Sequence, residues 1–279
     1  MKWGASLYLP FVQPDEVSVL HCRLEQGLAA VKRAGFDFAE LSLAPLANLR
    51  EAALEQAKRI ISDSGLPVPA FSGFFPPQVP VTGPDAQLSV LEAYMRKSLP
   101  LAKAIGAEVL VLGGGKVRSV PDGFPKEEGV EQLARFLASA EEAAAKEELL
   151  LALEPLNRKE TNVVKRLEDA VELAARLYLP HVRVAADSYH MLIEREEADM
   201  LEEAVDLGLL AYVHIADRDR HFPGQPVERG VDYGAFFRTL KGAGYEGRIC
   251  LECGYETVEE LERLGTDALR FVKDQWELA

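Results

Sequence analysis

Short runs of β-branched and other apolar residues recur along the chain. Each is followed by a polar loop and then by a longer stretch whose apolar residues fall at helical spacing. The runs are WGASLYL (3–9), FAELSLA (38–44), VPAFSGF (68–74), EVLVLG (108–113), LLLALE (149–154), VRVAAD (182–187), AYVHIA (211–216) and RICLEC (248–253). Each reads as a strand. Between them Leu167, Ala170, Val171, Ala174 and Leu177 keep an i, i+3, i+4 rhythm, and Gly35 and Gly65 stand where helices would end. Seven helices are predicted between strands and one after the last. This alternation predicts a parallel sheet. Eight such units in 279 residues match a closed (β/α)8 TIM barrel, whereas an open doubly wound sheet has a Gly-rich first turn that LPFVQPDE (9–16) lacks. No low-complexity linker or charge block interrupts the series, so one domain over 1–279 is predicted. The Pro-rich FFPPQVPVTGP (74–84) reads as the loop after the third strand.

Composition narrows the function classes. No apolar run approaches the roughly 18–20 residues needed to span a bilayer, so no membrane partner is expected. MKWGASLYLPFVQP reads as a first strand rather than a signal peptide, which predicts a cytoplasmic protein. Cys22, Cys250 and Cys253 are too few for a disulfide framework, in agreement with a reducing compartment. The net charge of −14 opposes binding to a polyphosphate backbone, so nucleic acid is not an expected partner. A homo-oligomer is left open.

In barrels of this kind, loops at the C-terminal strand ends build the site. Glu154, Asp187, His214 and Glu252 fall at or near those ends on the last four strands, each about one βα unit from the next. Taken alone, a strand-end carboxylate serves as well to cap the next helix, and a single His as a satisfied core residue. Together the four offer three carboxylates and one imidazole to one axial point, a ligand set for manganese, cobalt, magnesium or zinc. Cys250 and Cys253 have CxxC spacing, but residues three apart on a strand point to opposite faces, so both are expected to be packing residues. Asp217, Arg218 and Asp219 are expected to form surface ion pairs. His21 and His181 have no partner visible in the sequence, and His221 stays unassigned.

LEPLNRKET (153–161), ADSYHM (186–191), HIADRDRHFPG (214–224) and YEGRICLE (245–252), with a looser match at GFDFAELSLA (35–44), resemble the xylose-isomerase-like TIM barrels. Within them the chain is similar to the sugar phosphate isomerase/epimerase branch that includes ketose 3-epimerases. The resemblance implies that Glu154, Asp187, His214 and Glu252 bind one divalent metal, manganese first among the candidates. It further implies that Glu160, His190 and Arg220 contact substrate oxygens, and that Glu154 and Glu252 exchange a proton with a 2-keto sugar through a metal-stabilised enediolate. A hydroxypyruvate isomerase or an inosose dehydratase-like enzyme would use the same chemistry. An apurinic endonuclease-like nuclease would need further His ligands, and the second to fourth strands contain none. A non-catalytic metal-binding barrel is the remaining alternative. Two segments depart from the epimerase pattern. QPVERGV, between Gly224 and Asp232, is longer than the tight turn expected there. The Gly-rich GGGKVRSVPDGF (113–124) invites a phosphate-binding role for Gly113 to Lys116 but does not fit GxxxxGK[ST].

Overall fold

A computed structural model describes residues 1–279. Eight parallel strands, β1 (Lys2–Leu7), β2 (Phe38–Ser42), β3 (Ala70–Ser72), β4 (Val109–Leu112), β5 (Leu150–Leu153), β6 (Val182–Asp187), β7 (Leu210–Ile215) and β8 (Arg248–Leu251), pair in sequence order. β8 returns to β1 through Gly4 beside Cys250, which closes the barrel. The predicted (β/α)8 TIM barrel is therefore the observed fold. β3 is shorter than its apolar run suggests because Pro67 and Pro69 have no N–H for the ladder. Their carbonyls still pair, accepting from Ala39 N at 3.0 Å and Glu108 N at 2.8 Å.

The predicted helical rhythm is seen in Leu167–Leu177, which buries Leu167, Ala170, Val171 and Ala174. Gly65 ends Glu51–Ser64 at φ +62°, and Gly35 follows Val17–Arg33 at φ +89°, a region open to Gly at little steric cost. One helix per unit undercounts the chain, which has eleven. The additions include Leu43–Ala47, Gly115–Arg118 and Ser188–Glu194, which start at the C-terminal ends of β2, β4 and β6 and build the mouth. They are too short to show an apolar period. The stretch 74–84 is irregular, as expected.

Two apolar bodies hold the fold. The larger lies between the outer strand faces and the helices; in it Trp3 packs edge-on against Phe237 at 5.7 Å and Trp276 at 6.1 Å, fastening β1 to the last helix, Val258–Leu278. The smaller fills the barrel with Phe38, Ala70, Val109, Val111, Ala152, Ala185, Tyr212 and Cys250. A Cβ on Gly4 would lie 2.1 Å from the Phe38 ring, so Gly4 leaves the space that Phe38 occupies. Fully burying one such large apolar side chain contributes about 1.5–3 kcal/mol. No helix is long and apolar enough to cross a membrane.

Outside the barrel, the Glu196 carboxylate caps Leu167–Leu177, accepting from Leu167 N at 2.8 and 3.1 Å. Burial pushes it up to about 7 from the ordinary 4.5, against the backbone donor and Arg166. The folded state holds this proton more tightly than the unfolded chain. Stability from this group is therefore full below about pH 4.5 and is lost as pH rises to about 7. Urea midpoints measured between these pH values should fall less in Glu196→Gln than in the native protein. An unchanged slope would exclude Glu196 as its source.

Candidate active site

Period-two alternation carries the interior layer upward to the mouth. Two residues beyond Ala152, Ala185, Tyr212 and Cys250 in the barrel interior stand Glu154, Asp187, His214 and Glu252, all buried. Asp187 ends β6, His214 is the penultimate residue of β7, and Glu154 and Glu252 each follow the last residue of their strand. Their ligand atoms lie within 4.8 Å of one another. His214 Nδ1 is 2.8 Å from Glu154 Oε1 and 3.6 Å from Glu252 Oε2.

Electrostatics tighten the cluster. Burial opposes charge on His214, yet Glu40, Glu252 and Glu154 outweigh it and hold the imidazolium well above its ordinary range. Burial pushes Glu252 up to about 8 even though His214 and Arg220 favour its ionised form, with Glu154 and Asp187 adding to the rise. Asp187 goes the other way: Arg220, His190 and His214 overcome burial and hold its carboxyl well below the usual range. Two similar carboxylates are thus driven apart, the separation expected where one group handles a proton and another stays ionised.

Asp187 also does what a strand-end Asp commonly does. Its Oδ1 accepts from Tyr189 N at 2.7 Å and His190 N at 3.4 Å at the start of Ser188–Glu194, while Oδ2 accepts from Arg220 Nη1 at 2.6 Å. Arg220 Nη1 lies 2.9 Å from Glu252 Oε2, and its guanidinium sits 4.6 Å above the Tyr189 ring. His190 is buried, its Nδ1 accepting from Asn157 N at 3.2 Å, and its Nε2 is 2.9 Å from Arg220 Nη2. Glu160 stands in the loop after β5, its Oε1 accepting from Asn157 Nδ2 at 3.1 Å. The three residues tied to substrate by resemblance therefore form one connected group beside the four ligand candidates. Asp219 and Arg220 hold left-handed backbone at φ +54° and +60°, strain of about 1–3 kcal/mol each that clusters at functional sites.

Several expectations need correction. Asp217 forms no surface ion pair: it is buried and accepts from Arg218 N at 2.7 Å and Val231 N at 3.0 Å, while Arg218 donates to the Arg229 carbonyl. The long QPVERGV segment is thereby folded back onto Asp217. His21 has a partner in the Ala53 carbonyl at 2.9 Å, and His181 in Glu141 at 2.9 Å. The glycines after β4 make room for the site itself. A Cβ on Gly113 would stand 2.5 Å from Glu154 Oε2, and one on Gly115 would stand 2.2 Å from the Glu160 carbonyl. Cys250 and Cys253 do separate, the first into the barrel interior and the second into the outer core.

Two buried charges escaped the sequence reading. Arg118 donates to the Glu154 carbonyl, and burial lowers its pKa to about 10 against the pull of Glu154 and Glu160. Glu40, on β2, lies 2.8 Å from His214 Nε2 and accepts from Ser6 Oγ at 3.0 Å. For Glu40 burial alone would raise the pKa, but His214 and its hydrogen bonds lower it.

The donor set suits a divalent cation. Three carboxylates and an imidazole converge, and Glu252 Oε2 is buried without an aligned hydrogen bond although Arg220 Nη1 is near. Glu154, Asp187, His214 and Glu252 are the residues that would hold it.

Fold and site together define a closed (β/α)8 barrel with a carboxylate–imidazole cluster at its C-terminal mouth. The chain belongs to the xylose isomerase-like TIM barrel family, which matches residues 28–275. A 3-dehydro-D-guloside 4-epimerase of Escherichia coli (strain K12) is 29% identical over 249 residues, spanning 87% of this chain and 91% of that protein. A ketose 3-epimerase of Arthrobacter globiformis is 26% identical over 264 residues, 88% of each chain. The D-psicose 3-epimerase of Clostridium cellulolyticum H10, solved with D-tagatose, superposes with a TM-score of 0.80 over 99% of both chains at 18% identity. At that identity the likeness is one of fold. The named relatives are epimerases, hence isomerases, the class the resemblance implied.

Proposed function

We propose that this chain is a divalent-cation-dependent epimerase or isomerase of small sugars that moves a proton at the carbon next to a ketone. The observation that carries the reading is the convergence of Glu154, Asp187, His214 and Glu252 within 4.8 Å at four consecutive strand ends. The relatives' names support it, since a 3-dehydro sugar changed at C4 and a ketose changed at C3 are both altered beside the carbonyl. A bound cation, manganese first with cobalt, magnesium or zinc as substitutes, would polarise the carbonyl and offset charge on the enediolate oxygens.

The chain's own residues supply the rest. One of Glu154 and Glu252 takes the proton as the C–H bond breaks, and the other returns a proton to the opposite face, so the substrate leaves isomeric and the two carboxyls exchange roles. His190 and Arg220 fit the task of holding substrate oxygens. Both nitrogens of His190 face donors, Asn157 N–H on one side and Arg220 on the other, and a neutral imidazole cannot accept at both. A substrate oxygen that accepts from Nε2–H and from Arg220 would resolve that conflict. The three free cysteines and the net charge of −14 support a cytoplasmic enzyme acting on small molecules rather than nucleic acid.

A panel of D-fructose, L-ribulose and a 3-keto glycoside, assayed with manganese and after chelation, tests the proposal. Turnover of at least one, changed only beside the carbonyl and lost on chelation, is expected. A metal-loaded protein inert to all three would overturn it. Arg220→Ala should lower kcat/KM by about 10- to 100-fold, the worth of one or two hydrogen bonds from a charged group. Metal content should stay near native; its loss would move Arg220 from substrate binding to site assembly.

A further inference from the structure

His214 is a usable ligand only if one ring nitrogen presents a lone pair to the cluster, and a second group must fix which one. The two nitrogens have different surroundings. Nδ1 faces Glu154 and Glu252, whereas Nε2 points into the barrel at Glu40 Oε2, 2.8 Å away. Glu40 is fully buried, its other oxygen accepts from Ser6 Oγ at 3.0 Å, and β2 register sets it beside Ser6 of β1. Cys250 lies beneath, close enough to form a second group of potential ligand atoms with Glu40 and His214. That group has only three members, against four at the mouth.

We propose that Glu40 is a positioning residue: its carboxylate accepts the Nε2–H of His214, fixing the ring and its tautomer so that Nδ1 serves the cation held by Glu154, Asp187 and Glu252. The assignment rests on the metal-site reading given above. A carboxylate behind a metal-bound histidine orients the ring and raises its basicity, and its removal typically weakens metal binding by about 10- to 100-fold. Ser6 in turn anchors Glu40, which makes a chain of Ser6, Glu40 and His214 across β1, β2 and β7.

The test is titration of the metal-free full chain with Co²⁺, read by calorimetry and by the visible absorption of the bound ion. Native protein should bind one equivalent. Glu40→Ala should bind about 10- to 100-fold more weakly, with a shifted spectrum. Glu40→Gln, whose amide oxygen still accepts from Nε2–H, should keep affinity within about 10-fold of native, and Ser6→Ala should fall between the two. In zinc-loaded, ¹⁵N-histidine-labelled protein, one Nε2–H signal should resist solvent exchange in the native chain and lose that protection in Glu40→Ala. If Glu40→Ala does not fold, as seen by circular dichroism, Glu40→Gln and Ser6→Ala carry the same comparison. Native affinity and an unshifted spectrum in Glu40→Ala, or an unprotected Nε2–H in the native chain, would overturn the role. Two equivalents of Co²⁺ in native protein, with one lost in Glu40→Gln, would overturn it by making Glu40 a ligand. No Co²⁺ binding by native protein would instead sink the metal site on which the assignment stands.

Discussion

Glu252→Gln is expected to lower turnover of an active ketose by about 10²- to 10⁴-fold, the contribution typical of a positioned acid–base group. Its carboxyl is buried at the end of β8, pushed up to about 8, and is flanked by His214 and Arg220. Asp187 is less free to take a proton, because its two oxygens already accept from Arg220 Nη1 at 2.6 Å and from Tyr189 N at 2.7 Å. Glu154 stands 2.8 Å from the same imidazole and completes the pair. Protons held on carboxyls exchange with water, so native enzyme turning over a ketose in D₂O should place deuterium at the carbon beside the carbonyl. Both Glu154→Gln and Glu252→Gln should stop that incorporation. Because each carboxylate is also a candidate ligand, metal content is measured in every sample, and the comparison is made on equal loading. Native turnover without solvent deuterium would sink proton transfer and favour a direct hydride shift between carbons.

The parts of this site that could be read in the sequence are those in which residue type and position repeat with the βα period. Glu154, Asp187, His214 and Glu252 recur at corresponding strand ends, and their convergence follows from closing the barrel. Glu40 was missed although a signal existed. FAELS is buried along its whole length, and a charged residue in a strand covered on both faces requires a partner. In the sequence, however, FAELS looks like the ordinary alternation of a half-exposed strand with Glu facing water. Arg118 and Asp217 are harder. Their partners are a backbone carbonyl and backbone N–H groups, which every residue supplies and no pattern marks. The short helices of the mouth were invisible because one or two turns hold too few positions to show a 3.6-residue period.

Gly113→Ala is expected to lower kcat/KM by about 100-fold while leaving the thermal midpoint near native. Gly113 follows β4 with backbone that an L-residue can adopt, so the cost does not arise in the main chain. The added methyl would lie 2.5 Å from Glu154 Oε2, nearly 1 Å inside ordinary contact. The flexible carboxylate is what moves, and with it the 2.8 Å contact from Oε1 to His214. Displacing a reacting group by about 1 Å costs on the order of 100-fold in rate. Gly242→Ala, where nothing lies within 4 Å of the new Cβ, serves as the silent control. The same variant separates two readings of the Gly-rich loop. Equal losses on free and phosphorylated ketoses would mark the glycine as space for Glu154, as the geometry requires. A loss confined to phosphorylated substrates would make Gly113 to Lys116 a phosphate cradle, and native kcat/KM on both would show that Glu154 need not hold the position seen here.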